Sequence, residues 1–274
     1  FLAGEPLDEP TAKWISEGLG KPIIDNYWQT ESGWPILTVC NGIEKTPSKF
    51  GSPGKAVYGY DVKLLDDQTG EELTQPHQKG VVAIEGPLPP GCLQTIWGDD
   101  ERFVKTYWDT VPGKTIYSTF DWGIKDEDGY FFILGRTDDV INVAGHRLGT
   151  REIEESISGH AAVAEVAVVG VADSLKGQVA MAFAVLKDNA LLNDPQALLK
   201  LEGEIMKVVD NSLGAVARPS RVRFVSVLPK TRSGKLLRRA IQAVCEGRDP
   251  GDLTTMDDPA ALLQISDLVK ASSA

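Results

Sequence analysis

The spacing of apolar and polar positions predicts mainly β-structure in the first part of the chain. Over residues 50–120, short apolar runs alternate with turns rich in Gly, Asp and Pro, which is typical of a small β-barrel or sandwich. Residues 121–135 hold two apolar arms around Asp-Glu-Asp-Gly, and this pattern predicts a β-hairpin. A short helix is expected over residues 11–19.

The pattern changes after residue 136. Ile153 and Ile157 lie one helical turn apart, so they predict a helix with one apolar face. Later apolar runs predict two strands, a longer helix and a third strand, over residues 163–171, 178–187, 195–213 and 222–228. We therefore expect a domain boundary at 137–139, a compact α+β domain up to residue 247, and a loose tail with a short helix over 248–274.

Composition limits the classes of function. The chain has 274 residues, 42% of them hydrophobic, which is enough for one large core or two smaller ones. No apolar run approaches the roughly 20 residues of a membrane span, and the first residues do not have the pattern of a secretion signal. Three widely separated cysteines predict neither a disulfide framework nor a metal site. These features predict a cytoplasmic protein with no membrane partner.

Basic charge is concentrated in one segment of an acidic chain. The net charge is −11, yet residues 211–245 contain eight Lys and Arg and no Asp or Glu. Nucleic acid is not the expected partner, because no nucleic-acid-binding motif accompanies the charge. A solvated helical face is enough to explain Arg238 and Arg239. Gly234 lets backbone approach a ligand and Lys235 suits a phosphate, so the segment predicts a small polyanionic ligand.

Four motifs occur in order along the chain, and together they resemble the adenylate-forming acyl-CoA synthetases. They are YWQTESG at 27–33, YSTFDWG at 117–123, VAGHRLGTREIE at 143–154 and LPKTRSGK at 228–235. Within that family the chain most resembles the short-chain branch of acetyl- and propionyl-CoA synthetases. The resemblance implies an α/β and α+β multidomain fold, in which residues 1–137 end a large adenylating domain with a β-barrel subdomain and residues 138–247 form a small mobile domain.

One family feature is not found in the sequence. The Ser-, Thr- and Gly-rich phosphate loop that the family carries upstream does not occur in these residues. The chain therefore resembles the C-terminal half of such an enzyme, and the missing N-terminal half is its expected partner.

The resemblance also implies residues for an ATP site. Gly4, Glu5 and Pro6 would lie beside the adenine, and Asp121 and Arg136 beside the ribose. Thr30 would contact the α-phosphate and Arg147 would reach the phosphates. Glu31 would hold Mg²⁺, since a carboxylate is a hard ligand for a hard cation. Lys235 would be the catalytic residue, because a cation is needed where a carboxylate attacks a phosphate ringed by negative oxygens.

The acyl and CoA sites follow from the same resemblance. Trp28 would be the floor of the acyl pocket and exclude long chains. Ala3 would stand where acetate-selective relatives carry valine, which leaves space for one further carbon and favours propionate. Gly145 and His146 would face CoA, and the small domain would rotate about Asp138.

These inferences predict ATP-dependent ligation of a short-chain carboxylate to CoA through an acyl-adenylate, with ATP, CoA and Mg²⁺ as ligands and propionate favoured over acetate. Alternatives remain open at this point. An acetyl-CoA synthetase, an aryl-CoA ligase or a non-ribosomal adenylation domain shares the catalytic motifs, although the last two would lack Trp28. A folded fragment without activity is the non-enzymatic alternative.

Overall fold

The computed structural model describes residues 1–4 and 7–273. Contacts within the chain divide it into two compact units, Phe1–Asp138 (unit 1) and Asp139–Ala274 (unit 2). A single 3-10 turn, Thr137–Asp139, occupies the division. None of the described helices is long and apolar enough to cross a membrane.

Unit 1 is built around an antiparallel sheet of four strands. Its elements in chain order are α1 (Glu9–Leu19), β1 (Leu37–Thr38), β2 (Lys55–Ala56), β3 (Asp61–Leu65), β4 (Gly80–Glu85), α2 (Asp100–Tyr107), β5 (Ile116–Lys125) and β6 (Phe131–Arg136). The sheet order is β3-β4-β5-β6, and β1 pairs with β2 separately. The hairpin predicted over 121–135 is confirmed by β5 and β6. The predicted barrel is not found, because β3 and β6 are edge strands that do not pair with each other within residues 1–4 and 7–273.

One face of this sheet carries the core of unit 1. Val62 and Leu64 of β3 are buried in this core and alternate with the more exposed Asp61 and Lys63, whereas Leu65 is buried in a smaller cluster with Ala83 and Ile116. The remaining core members are buried apolar side chains from the other strands and from the segment before β1, including Ile36, Leu37, Val82, Ile84, Tyr117, Phe131 and Ile133.

A bulge in the middle of β5 interrupts the pairing. Val82 of β4 lies opposite Asp121 but the next residue, Ala83, lies opposite Ser118, so Thr119 and Phe120 are extra residues on β5. Phe120 has a φ of 59°, a left-handed conformation that is uncommon for a residue other than glycine. The Thr119 hydroxyl donates to the Val82 carbonyl at 2.6 Å and fixes the bulge. The bulge therefore sets where Asp121 points.

Unit 2 is a five-stranded sheet with helices on both faces. Its elements are β7 (Ile141–Val143), β8 (His146–Leu148), α3 (Thr150–Ser158), β9 (Val163–Asp173), β10 (Gly177–Leu186), α4 (Pro195–Leu213), β11 (Arg221–Val225), α5 (Arg238–Cys245) and α6 (Pro259–Ser273), with a 3-10 turn at Asn189–Asn193. Strand β10 pairs antiparallel with β9 and parallel with β11. The predicted order of helix, two strands, helix and strand is confirmed by α3, β9, β10, α4 and β11.

Two apolar clusters cover the two faces of this sheet. Helices α3 and α4 contribute Ile153, Ile157 and Ile205 to one cluster. Helices α5 and α6 contribute Ile241 and Ile265 to the other.

The segment after Glu246 is packed rather than loose. Thr231 forms a bridge with Met256, and the Asp257 amide donates to the Lys230 carbonyl at 2.9 Å. Met256 is buried, and α6 packs against α5 with side chains that belong to the second core. The predicted tail is therefore an integral part of unit 2.

Candidate functional site

Asp121 in unit 1 is a buried carboxylate with two firm hydrogen-bond donors. The Tyr27 hydroxyl donates to its Oδ2 at 2.5 Å, and Gln29 Nε2 donates to the same oxygen at 2.8 Å. Burial, followed by the Asp121 charge, raises the pKa of Tyr27 well above 10.0, so the hydroxyl keeps its proton at neutral pH. Oδ1 lies 3.6 Å from Nη1 of Arg136.

Arg136 lies between two other predicted positions, Asp121 and Asp138. Its Nη1 donates to the Thr119 carbonyl at 3.2 Å, its guanidinium lies over the Phe120 ring, and its Nε is 3.6 Å from Oδ1 of Asp138. The structure therefore brings Asp121, Arg136 and Asp138 together at the end of β6. Asp138 is also the last residue of unit 1.

Gln29 is held in one orientation by its neighbours. Its Nε2 also donates to the Thr119 carbonyl at 2.6 Å, and its Oε1 accepts from the Tyr117 hydroxyl at 3.2 Å. Its backbone carbonyl accepts from the Ser32 amide at 3.0 Å, which closes the turn of the YWQTESG motif. The amide side chain is thus satisfied at both ends and does not rotate freely.

Thr30 and Glu31 lie on this turn. Thr30 is exposed, whereas Glu31 is half-buried. The Tyr107 hydroxyl at the end of α2 donates to Glu31 Oε1 at 2.8 Å, and the Tyr107 ring stacks on Tyr117. Burial and the hydrogen bond to Glu31 raise the pKa of Tyr107, so it too is a donor at neutral pH. The Glu31 carboxylate is therefore oriented before any ligand binds.

Ala3 and Trp28 are on neighbouring segments. The Leu2 amide donates to the Ile24 carbonyl at 3.0 Å and Asn26 Nδ2 donates to the Leu2 carbonyl at 3.0 Å, which aligns residues 1–4 with the segment that leads into Trp28. Ala3 is exposed and 45% of Trp28 is exposed, so both side chains are accessible.

Gly4 has a φ of 105° and no heavy atom within 4 Å of where a Cβ would lie. It is accessible in a conformation that favours glycine. Glu5 and Pro6, expected beside the adenine, lie outside the described residues.

Lys235 in unit 2 lies on a short hairpin over residues 229–237, which we call the Lys235 loop. Lys230 forms a bridge with Leu236, and the Thr231 amide donates to the Lys235 carbonyl at 2.8 Å. The Lys235 amide donates to Thr231 Oγ1 at 3.1 Å, while the Lys235 residue is exposed. Gly234 has a φ of 88°, which the turn requires. The result is an exposed ammonium on an ordered loop.

Gly145 lies with Ala144 at the tip of the β7–β8 hairpin, and His146 and Arg147 follow as the first two residues of β8. Ala144 and Gly145 have φ of 50° and 85°, the two left-handed residues of a type I′ turn. The Ala144 amide donates to the Lys176 carbonyl at 2.8 Å, and the Gly145 amide donates to Asn142 Oδ1 at 3.0 Å. No heavy atom lies within 4 Å of where a Gly145 Cβ would be.

Two of the cations around Lys235 are engaged with carboxylates. Lys230 Nζ lies 2.6 Å from Glu165 Oε2, and Arg238 binds the Glu154 carboxylate through its Nε and Nη2. The expectation that the basic segment as a whole serves a phosphate ligand is therefore too broad. The sequence did not predict these ion pairs, because residues 211–245 contain no Asp or Glu and both Glu154 and Glu165 lie earlier in the chain.

The sequence did not single out Tyr27, Gln29 and Tyr107, whose side chains donate hydrogen bonds to the carboxylates of Asp121 and Glu31. Tyr27 and Gln29 lie in the YWQTESG motif, and Tyr107 lies in none of the four motifs. Their signal was weak because an aromatic or amide residue beside a turn fits many roles. Among the described residues, no group of three or more His, Cys, Asp or Glu could hold a metal ion.

Comparisons with known proteins agree on one family. Residues 1–93 match the model of the AMP-binding enzyme family, and residues 152–235 match the model of the AMP-binding enzyme C-terminal domain. The propionate–CoA ligase of Salmonella typhimurium is 63% identical over 270 residues, which are 98% of this chain and 43% of the relative. The acetyl-coenzyme A synthetase of Pyrobaculum aerophilum is 41% identical over 262 residues, covering 94% of this chain and 38% of that relative.

A solved structure has the same fold. It is the ATP-bound MatB from Rhodopseudomonas palustris, with a TM-score of 0.73, 25% identity, and coverage of 88% of this chain and 45% of that chain. The chain thus spans about two fifths of the length of the curated relatives it matches. With both family models matched in order and close identity over nearly all its residues, the chain belongs to the AMP-binding enzyme family.

Proposed function

We propose that the full-length protein ligates propionate to CoA in two steps. ATP and propionate give propionyl-adenylate and pyrophosphate, and CoA then displaces AMP to give the thioester. The observation that carries this proposal is the 63% identity to a propionate–CoA ligase over 98% of the chain, against 41% to an acetyl-coenzyme A synthetase. The chain spans 43% of that relative, so the activity is proposed for the full-length protein.

Nucleotide binding is assigned to the carboxylate cluster of unit 1. Asp121 would accept hydrogen bonds from the ribose hydroxyls, and Arg136 would lie beside the same sugar. A carboxylate already fixed by Tyr27 and Gln29 suits this role, because it loses little conformational freedom on binding. Thr30 would donate to the α-phosphate from its exposed position, and Gly4, Glu5 and Pro6 would lie beside the adenine.

Mg²⁺ is the expected cation, and Glu31 would hold it. Mg²⁺ is usually bound through one or two carboxylates together with substrate phosphates and water, so a single oriented carboxylate fits. When bound, Mg²⁺ would neutralise phosphate charge. The absence of a larger acidic cluster in the described residues agrees with this mode of binding.

Unit 2 would supply Lys235 for the first step and the β7–β8 hairpin for the second, and it would rotate between the two steps. The Lys235 ammonium would bridge the propionate carboxylate and the α-phosphate while the carboxylate oxygen bonds to phosphorus and pyrophosphate leaves, and Arg147 would contact the phosphates. Rotation about Asp138 would then withdraw Lys235 and present Gly145 and His146 to CoA. The thiol sulfur bonds to the acyl carbon, its proton passes to solvent, and AMP leaves.

The acyl pocket is assigned to Trp28 and Ala3. An indole at the floor would exclude long chains, and alanine leaves room for one more methylene than valine does. A methylene in such a pocket is worth about 1–3 kcal/mol, which is about 10- to 200-fold in discrimination.

Pyrophosphate release by the full-length protein tests the proposal. We expect kcat/KM to be highest with propionate, at least about tenfold lower with acetate, and negligible with octanoate and benzoate. Ala3→Val should shift the ratio toward acetate. Equal rates with octanoate would contradict the role of Trp28, and an unchanged propionate-to-acetate ratio in Ala3→Val would contradict that of Ala3. The cytoplasmic location stays a prediction that cell fractionation tests.

A further inference from the structure

Arg238, the first residue of α5, forms a buried ion pair with Glu154 of α3. Its Nε and Nη2 donate to Glu154 Oε1 at 3.1 and 3.0 Å, and its Nη2 donates to Oε2 at 2.8 Å. Glu154 Oε1 also accepts from the Val168 amide of β9 at 2.8 Å. The Glu154 side chain is 7% exposed and that of Arg238 is 18% exposed. One carboxylate thus joins α3, β9 and α5.

Arg238 lies at a position of α5 where an arginine does not stabilise the helix. Arg238 and Arg239 occupy the first turn of α5, the positive end of the helix dipole, where cations are unfavourable. That turn has no acidic residue and no side-chain cap. Glu154 supplies the missing negative charge from another helix. A local departure from such a rule is expected where geometry matters more than stability.

The position of this pair relative to Lys235 gives it a consequence for function. Lys235 is three residues before Arg238, so a shift of the start of α5 passes directly into the Lys235 loop. The second ion pair of that loop, Lys230 with Glu165, is between 32% and 48% exposed, and exposed pairs hold geometry weakly. Breaking a buried pair leaves an uncompensated charge and forces rearrangement.

We propose that Glu154 and Arg238 are positioning residues that hold Lys235 for adenylate formation. The inference rests on the proposed role of Lys235 in the first step of the reaction. Glu154 and Arg238 touch no reacting atom in this proposal and act only through the start of α5. Because a misplacement of about 1 Å can cost about 10²-fold in rate, the pair should matter for the Lys235 step and not for the CoA step.

Glu154→Gln in the full-length enzyme tests this. Glutamine keeps the size and an acceptor for the Val168 amide but loses the charge that Arg238 binds. We expect kcat for pyrophosphate release with propionate to fall about 10- to 100-fold. Thioester formation from synthetic propionyl-adenylate and CoA should stay within about twofold of the wild type, since that step does not use Lys235.

Two further variants make the result specific. Glu165→Gln removes the exposed partner of Lys230 on the same loop and should change neither step by more than about twofold. Arg238→Lys keeps the charge but not the two-pronged geometry, so it should repeat the selective loss and serves in place of Glu154→Gln if that variant fails to fold.

Three outcomes would overturn the inference. A loss of both steps to the same extent would reduce the pair to a structural one. Equal losses in Glu154→Gln and Glu165→Gln would remove the special position of the buried pair, and an unaffected first step in both Glu154→Gln and Arg238→Lys would remove the link to Lys235. A wild-type enzyme that forms no propionyl-adenylate would instead overturn the proposed function, and this inference with it.

Discussion

At Asp121, two side chains from a distant segment of the chain hold one oxygen of the carboxylate. Tyr27 and Gln29 both donate to Oδ2, and a carboxylate oxygen accepts about two strong hydrogen bonds. Oδ1 lies 3.6 Å from Nη1 of Arg136, and in the proposed function this side of the carboxylate meets the ribose hydroxyls. The Tyr27 hydroxyl is therefore expected to set the direction of nucleotide binding.

Tyr27→Phe in the full-length enzyme should weaken nucleotide binding. The ring remains while Asp121 loses a donor, and a hydrogen bond to a charged group is worth about 1.5–3 kcal/mol, part of which Gln29 retains. We expect the KM for ATP to rise about three- to tenfold, with a smaller effect on the KM for propionate. Steady-state pyrophosphate release, measured at varied ATP and then at varied propionate, gives the two KM values.

The matched control is Tyr130→Phe, which makes the same chemical change at a buried tyrosine on the other side of the hairpin turn. The Tyr130 hydroxyl donates to the Pro47 carbonyl at 2.6 Å, away from Asp121. It should lower stability without changing the KM for ATP. Equal KM values in Tyr27→Phe and the wild type would contradict the role given to the Tyr27 hydroxyl.

The sequence could point to Asp121 but not to its donors. The motif resemblance identifies Asp121 as a carboxylate expected beside the ribose. The hydrogen bond between Tyr27 and Asp121 joins residues 94 positions apart, which a local motif does not predict. Nothing in the local pattern of YWQTESG tells which side chain turns toward β5. The bulge at Thr119 and Phe120 also changes the register of β5 just before Asp121, and bulges leave little trace in apolar periodicity.

At the scale of elements, the sequence predicts the helices and strands that have a periodic apolar pattern. It does not predict whether a sheet closes into a barrel. Helix α4 and strands β9 and β10 have sustained apolar patterns that tertiary contacts do not override. Whether a sheet closes into a barrel depends on pairing between its first and last strands, and the period within each strand does not encode it. The chain after Glu246 was mistaken for a loose tail because its turn-rich composition conceals Met256, whose burial depends on the Lys235 loop.

Helix α6 should be essential to the stability of unit 2. Ile265 is fully buried in the cluster that α5 and α6 share, so Ile265→Ala should lower the free energy of unfolding of this unit by about 2–5 kcal/mol. Urea unfolding of the 274-residue chain, followed by circular dichroism, measures the loss. Leu263→Ala on the same helix is the control, because Leu263 is 63% exposed and alanine favours the helix. Equal effects of the two substitutions would contradict the packing of α6.

At the scale of the whole molecule, the proposed reaction requires unit 2 to offer two different loops at two different times. The Lys235 loop carries an exposed cation, and the β7–β8 hairpin carries an open glycine tip with no heavy atom near its Cβ position. Both are held by hydrogen bonds within unit 2, so each can be presented as a formed surface when the unit moves as a body. A hinge at Asp138 is consistent with the division of the chain there.

Separate assays of the two steps in the full-length enzyme test this division of labour. Lys235→Ala should lower pyrophosphate release by about 10²- to 10³-fold, as expected for loss of a charge that stabilises the transition state, and still convert synthetic propionyl-adenylate and CoA to thioester. Gly145→Leu should do the reverse, because its side chain would project into the space that CoA needs.

Gly145 has a φ of 85°, so leucine there also strains the turn, and the effect of strain must be separated from that of bulk. Gly145→Ala provides the separation, since alanine also strains the left-handed turn but its side chain is a single methyl group. If obstruction of the CoA path is the cause, the alanine variant should lose less of the second step than the leucine variant, and both should keep the first. If Lys235→Ala loses both steps equally while it stays folded, Lys235 is a general phosphate anchor and the two loops do not act in turn.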